Sequence, residues 1–240
     1  MEMTLSIIVP LYNEEGSILE VLHRIAQVHL LQGVHKEVLI INDGSTDNSE
    51  SLVQAFLETR PDLDIRYFSL DRNRGKGAAI HYGIQEARGD LIIIQDADRE
   101  YDPAEYNILL RPIVNGRADV VYGSRFMGGR PHRVLFFWHR IGNHFITFLC
   151  NAFANLNLTD VETGYKMFKS ELLKSIRLKE QRFGFEPEVT LKLSRIPGIR
   201  IYEVGISYHG RTYEEGKKIG FRDGFRAIFC ILKYGIFSKS

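Results

Sequence analysis

The sequence holds only two cysteines and one tryptophan in 240 residues, and its formal net charge is just +1. Cys150 and Cys230 both lie within apolar stretches, and no leader segment is recognisable, so a reduced cytosolic protein is expected rather than a disulfide scaffold. No uncharged apolar run reaches the roughly 18 residues that a membrane-spanning helix requires. Charge near zero argues against a protein that coats nucleic acid, and no nucleic-acid partner is expected. A composition of 44% hydrophobic and 25% charged residues excludes a disordered, collagen-like or coiled-coil chain. One domain can bury a large core at this length.

What is present is unevenly distributed. Between Gly123 and Asn151 there are four arginines (Arg125, Arg130, Arg133, Arg140) and no acid. From His209 to Ser240 there are seven Lys and Arg against three acids. Both stretches are rich in Phe, Ile and Leu.

The first half alternates β-type runs with segments of helical periodicity. Leu5–Pro10, Glu37–Ile41, Ile65–Phe68, Leu91–Ile94 and Asp119–Tyr122 are runs of Val, Ile and Leu with little polar alternation, the pattern of strands covered on both faces. Between them Ile18, Leu22 and Ile25 share a helix face, as do Leu52, Ala55 and Phe56, then Ala79, Ile80 and Ile84. This order predicts an α/β fold with a mostly parallel sheet flanked by helices. Later, Trp138, Ile141, Phe145, Phe148, Leu149 and Phe153 have helical spacing, Ile201–Tyr208 reads as a strand, and Phe221–Ile236 forms a final amphipathic stripe. Each aromatic stripe has two readings, a core-packing face or a face lying in a membrane interface.

Open parallel sheets bind ligands at the carboxyl ends of their strands. Polar residues recur there: Asn13 and Glu14, Asp43, Asp96 and Asp98, and Arg125. Asp96, Asp98 and Glu100 alternate, so in an extended segment they would converge as hard oxygen ligands for Mg²⁺ or Mn²⁺. A solvated acidic turn before Pro103 is the plainer reading. Asp43-Gly44-Ser45-Thr46 suits a strand–turn–helix junction whose Asp43 could bond a ribose or base. Asn73-Arg74-Gly75-Lys76-Gly77 is short, basic and glycine-rich, so its backbone could approach a phosphate. It has neither Walker A nor GxGxxG spacing.

Taken in order, Ser6–Glu15 (SIIVPLYNEE), Ile41–Asp47 (INDGSTD), Asn73–Gly77 (NRGKG) and Gln95–Asp98 (QDAD) strongly resemble glycosyltransferase family 2, within it the dolichyl-phosphate or polyprenyl-phosphate sugar synthase branch. Tyr122–Arg125 (YGSR), Glu162–Lys166 (ETGYK), Phe183–Glu188 (FGFEPE) and Arg211–Lys218 (RTYEEGKK) extend the resemblance over almost the whole chain. The resemblance implies a GT-A fold, a nucleotide-sugar donor, a divalent metal (Mg²⁺ or Mn²⁺) and a lipid-phosphate acceptor. Carried over by position, it implies that Pro10, Tyr12, Glu14 and Asp43 hold the nucleoside, with Lys76, Asp96 and Ala97 completing the nucleotide site. Asp96, Asp98 and Glu100 would be metal ligands, although the branch often has Gln at the last of these. Arg125 and Arg140 would meet the acceptor phosphate, and Arg211 with Lys217 would close over the donor phosphates. The expected organisation is one catalytic domain over residues 1–240, with a nucleotide-sugar half (1–122), an acceptor half (123–208) and a basic amphipathic segment (209–240). A hydroxyl acceptor would instead call for a carboxylate base, with Asp160, Glu162 or Glu186 as candidates, and a non-catalytic nucleotide-sugar-binding protein is a further alternative. Without spanning helices, a lipid acceptor requires peripheral attachment at the cytosolic membrane face, a membrane-protein partner or self-association.

Overall fold

The computed structural model describes residues 2–31, 33–134, 136–182, 184–212, 214–215 and 221–236, the last segment without the side chains of residues 221 and 222. Its strands are β1 (Met3–Leu11), β2 (Val34–Asn42), β3 (Ile65–Ser69), β4 (Leu91–Ile94), β5 (Val120–Ser124), β6 (Lys166–Lys169) and β7 (Ile201–Gly205). The helices are α1 (Ile18–Gln27), α2 (Ser49–Thr59), α3 (Lys76–Glu86), α4 (Tyr106–Val114), α5 (Phe137–Ala154), α6 (Ser170–Ser175), α7 (Phe185–Leu193) and α8 (Phe221–Ile236).

The strands form one sheet in the order β3-β2-β1-β4-β6-β5-β7. All neighbours are parallel except β6, which runs antiparallel between β4 and β5. The five β-type runs of the first half are all strands, and the sheet is mostly parallel as expected. β1 continues past Pro10 to Leu11, because β4 pairs with it only as far as Ile8 and a missing N–H beyond that point interrupts no second ladder. β7 stops at Gly205, short of the expected Tyr208. The antiparallel β6 was not expected: it has four residues, two of them lysines, and Lys166 is fully buried.

One face of the sheet is covered by α1, α2 and α4 through Ile18, Leu22, Ile25, Phe56 and Leu109. The other is covered by α3, α5, α7 and α8 through Ile80, Cys150, Val189, Cys230 and Ile231. Burying each such Leu or Ile contributes roughly 1.5–3 kcal/mol, which is why unbroken Val and Ile runs become the central strands. Cys150 and Cys230 are both buried and unpaired.

The two aromatic stripes resolve differently from a plain core-packing reading. α5 packs on α8 and α7, yet its buried positions are Ile146, Thr147, Cys150 and Ala154. Phe137, Trp138, Ile141, Phe145, Phe148 and Phe153 face outward. α8 likewise buries Ala227, Cys230, Ile231 and Tyr234 while exposing Phe225, Phe229, Leu232 and Ile236. Glu180, just before α7, holds α8 down: its carboxylate accepts from Arg226, Lys233 and the Tyr234 hydroxyl.

Candidate functional site

The parallel strands end along one edge, and the polar residues following them meet there. β6 brings further residues to this edge, because an antiparallel strand starts where its neighbours end. After β1, Asn13 takes a left-handed conformation (φ 50°), and its side chain accepts from Thr46 N at 2.8 Å. After β2, Asp43 is buried and accepts from the backbone N–H groups of Arg74 (2.9 Å) and Gly75 (2.7 Å). It thereby pins the Asn73–Gly77 loop that opens α3.

The glycines of that loop have a different use from the one expected. A Cβ on Gly75 (φ +101°) would lie 2.5 Å from Gln181 O, and one on Gly77 would lie 2.4 Å from Glu180 O. The backbone approaching them is the protein's own 180–182 segment, so the close approach expected for a phosphate is filled by packing. Lys76 still reaches the site. Its ammonium lies 2.6 Å from Asp96 and 3.9 Å from Glu186. Burial alone would lower its pKa, but the charges of Asp96 and Glu186 hold it well above the ordinary value.

After β4, Gln95 is locked by the hydroxyls of Tyr106 and Tyr165, each 2.9 Å from its Oε1. Asp96 lies against Gly164, where an added Cβ would come within 2.7 Å of its Oδ2. Ala97 O accepts from Ser17 Oγ at 2.9 Å. Asp98 receives Arg211 Nη2 at 2.5 Å, and the same guanidinium reaches Glu14 at 3.2 Å. Burial, then the neighbouring charges of Asp96 and Glu100, push the Asp98 carboxyl up to about 7.

Glu100 stands near enough for its charge to act on Asp98, but its carboxylate is engaged elsewhere. Its carboxylate accepts from Arg211 N (2.8 Å) and from the Tyr208 hydroxyl (3.0 Å), tethering the segment after β7. Residues 97–101 are a series of bends rather than a strand, so the alternation that would have brought three carboxylates together does not apply. Among the described residues no three His, Cys, Asp or Glu form a metal-holding group. Asp96 and Asp98 remain a fitting pair for a divalent cation shared with a diphosphate. Both are hard oxygen donors, an excess of carboxylates surrounds them, and Gly164 keeps the space beside Asp96 Oδ2 free of a side chain.

Arg125, just past β5, is gripped by the fully buried Asp160, with Nε at 2.6 Å, Nη2 at 2.7 Å and the backbone N at 3.1 Å. Burial would raise the pKa of Asp160, but the Arg125 charge and hydrogen bonds keep it below its ordinary value. Asn143 of α5 adds a hydrogen bond of 3.2 Å to the same carboxylate. Arg125 and the exposed Arg140 each lie 5.6 Å from the centre of the Phe126 ring, so one ring borders both of the arginines expected to act together. Pro10 and Tyr12 stand at the end of β1 on the same edge. Lys217 lies outside the described residues, as do Phe183, Tyr213, Gly216 and Lys218 of the matching motifs.

Sequence reasoning missed Asn143 and Tyr208. Asn143 is one of several polar residues along α5 and carried no distinguishing signal. Tyr208 had none either: its role depends on Glu100 turning toward it.

A mostly parallel sheet with helices on both faces, and an acidic-basic cluster where its strands end, matches the GT-A fold. The chain belongs to glycosyl transferase family 2, whose model matches residues 6–177. It is 27% identical over 99% of its length to a dodecaprenyl-phosphate galacturonate synthase of Rhizobium johnstonii, of which it covers 68%. It is 26% identical over 97% of its length to a dolichol-phosphate mannosyltransferase of Pyrococcus furiosus, of which it covers 64%. It therefore spans about two thirds of the length of these relatives. The crystal structure of glucosyl-3-phosphoglycerate synthase from Mycobacterium tuberculosis, in complex with Mn²⁺, UDP and phosphoglyceric acid, superposes with a TM-score of 0.74 at 20% identity, covering 99% of this chain and 80% of that one.

Proposed function

We propose that this chain is the catalytic unit of an inverting, metal-assisted glycosyltransferase that moves a sugar from a nucleotide-sugar to a polyprenyl phosphate. The observation that carries the acceptor class is the Arg125–Asp160 pair. A buried carboxylate fixes the arginine through Nε and Nη2, leaving Nη1 for an external anion, with Arg140 beside it across Phe126. A fixed arginine with a second, exposed arginine at the same ring suits a phosphate monoester better than a neutral hydroxyl. The names of the relatives support the same acceptor class. In this reading residues 1–122 serve mainly the donor, 123–208 mainly the acceptor, and 209–240 the closing and attachment of the site.

On the donor side, Asp43 fixes the loop that leads to Lys76, and Pro10, Tyr12, Glu14 and Ala97 border the nucleotide. Asp96 and Asp98 would hold the metal, which supplies neutralisation of the leaving diphosphate when bound. Arg211, tied to Glu14 and Asp98, stands where it can transfer to donor phosphates, and Lys217 is assigned there by the matching motif. A lipid phosphate is anionic at neutral pH, so it attacks the anomeric carbon without a strong base. Its difficulty is approaching a second anion, and Arg125 and Arg140 reduce that repulsion. Direct attack on an α-linked donor gives a β-linked product.

Among the described residues no helix is long and apolar enough to cross a membrane. The outward aromatic residues of α5 and α8, including Trp138 (73% exposed), Phe148 (66%) and Phe225 (75%), together with the exposed Arg140 of α5, support docking at a membrane surface. A UDP-sugar is favoured over GDP-mannose on resemblance to bacterial members of the branch. Thermal-shift measurements with UDP- and GDP-sugars plus Mg²⁺ or Mn²⁺ test the donor assignment. Binding at 100-fold above Kd stabilises by about 2.7 kcal/mol, and no shift with any of them would refute the reading.

A further inference from the structure

We propose that Glu162 and Glu186 form the subsite that reads the hydroxyl groups of the transferred sugar, an inference that rests on the nucleotide-sugar reading above. Glu162 lies in the segment leading into β6, which enters the sheet where β4 and β5 end. Glu186 lies in the first turn of α7 and is 3.9 Å from the Lys76 ammonium, which is itself 2.6 Å from Asp96. One lysine side chain therefore separates Glu186 from the carboxylate assigned to the donor diphosphate.

What distinguishes Glu162 is an orphaned carboxyl oxygen, and what distinguishes Glu186 is that its side chain is met by the Lys76 ammonium only at 3.9 Å. The Glu186 side chain is only 8% exposed, and Glu162 Oε1 is buried without a donor. Two neighbouring buried carboxylates are satisfied in full. Glu188 accepts from the backbone of Lys179 and Glu180 and from Lys192, while Asp160 is held by Arg125 and Asn143. Lys166 makes no hydrogen bond to either carboxyl: its ammonium donates to the carbonyls of Val161 and Thr163 and lies 4.8 Å from the centre of the Tyr122 ring. An unmet buried acceptor costs about 1–3 kcal/mol, so the folded chain keeps in Glu162 Oε1 a group that a ligand's donors would satisfy, while Glu186 can accept beyond its one long contact to Lys76.

The sign of the charge identifies the part of the donor that fits. Two adjacent carboxyls repel phosphate and accept from neutral hydroxyls. Burial and the Glu186 charge raise the Glu162 pKa, which leaves that carboxyl able to donate a hydrogen bond as well as accept one. A sugar ring offers both donors and acceptors, and the phosphates remain with Lys76 and Arg211.

Titration calorimetry on the whole chain with Mn²⁺, comparing UDP with UDP-glucose and GDP with GDP-mannose, tests this. Glu162→Gln and Glu186→Gln should leave nucleoside-diphosphate affinity within about twofold while weakening the nucleotide-sugar tenfold or more. Deoxy-sugar analogues should then lose no further affinity in the variants. Glu162→Asp and Glu186→Asp, which keep the charge but withdraw it by one methylene, should show the same selective loss and serve if a glutamine variant unfolds. Equal weakening of diphosphate and nucleotide-sugar would overturn the proposal in favour of a structural role. Unchanged binding with lost turnover would overturn it in favour of a general base. Wild-type protein that binds no nucleotide at all would remove the reading beneath it, whereas binding of nucleotide with no sensitivity to these variants would remove this inference alone.

Discussion

Replacing Asp160 with asparagine removes one charge from a pair that the fold has enclosed. Asp160 has no exposed surface and accepts three hydrogen bonds from Arg125, at 2.6, 2.7 and 3.1 Å, and one from Asn143. The amide of Asp160→Asn would turn a donor toward a guanidinium that needs acceptors, leaving a nearly buried cation uncompensated. Breaking such a pair from one side costs about 3–5 kcal/mol. For a chain of this size that corresponds to a fall in Tm of roughly 6–20 °C. Urea unfolding followed by circular dichroism is the suitable assay, since the only tryptophan, Trp138, is exposed and reports poorly on the core. The double variant Arg125→Met with Asp160→Leu removes both charges and should recover about 2 kcal/mol or more of the loss. A single-variant cost below about 1 kcal/mol, or a double variant no more stable than Asp160→Asn, would refute the claim that this pair is held together by mutual compensation.

Three other outcomes follow from separate parts of the structure. Gly77→Ala places a Cβ 2.4 Å from Glu180 O, so the 180–182 segment must move by at least about half an ångström, costing roughly 1–3 kcal/mol and weakening nucleotide binding through Lys76; an unchanged Tm would contradict this. Burial would raise the Glu180 pKa, but Lys233, Arg226 and Tyr234 hold it down to about 2 from 4.5. Its stabilisation is therefore present above pH 4.5 and lost as pH falls toward 2, so the Tm curves of wild type and Glu180→Gln should converge in acid, and parallel curves would contradict the assignment. Trp138→Ser with Phe225→Ser should leave stability within about 0.5 kcal/mol yet weaken sedimentation with anionic vesicles at least fivefold, because both rings are exposed in the folded chain; unchanged vesicle binding would remove the membrane role of this face.

The central sheet was legible because Val and Ile runs of strand length have few alternatives once helices follow each of them. β6 was not, because four residues with two lysines carry no hydrophobic pattern, and Lys166 is admitted to the interior only by carbonyls from its own loop. The acidic motif was legible as a site but not as a geometry. Alternation would align Asp96, Asp98 and Glu100 only in an extended chain, and bends direct Glu100 to Arg211 and Tyr208 instead. Gly75 and Gly77 announced a close approach without revealing that the 180–182 segment makes it. The aromatic stripe of α5 announced a helix, but periodicity alone does not distinguish an inward face from an outward one.

The account turns on whether an anionic lipid, rather than a hydroxyl, receives the sugar. The direct measurement is transfer of radiolabelled sugar from its nucleotide donor, with Mn²⁺, to polyprenyl phosphate, to the same prenol lacking phosphate, and to a free saccharide. Label appearing on polyprenyl phosphate and on neither of the others is the predicted result. Equal or preferred labelling of the prenol or the saccharide would contradict it.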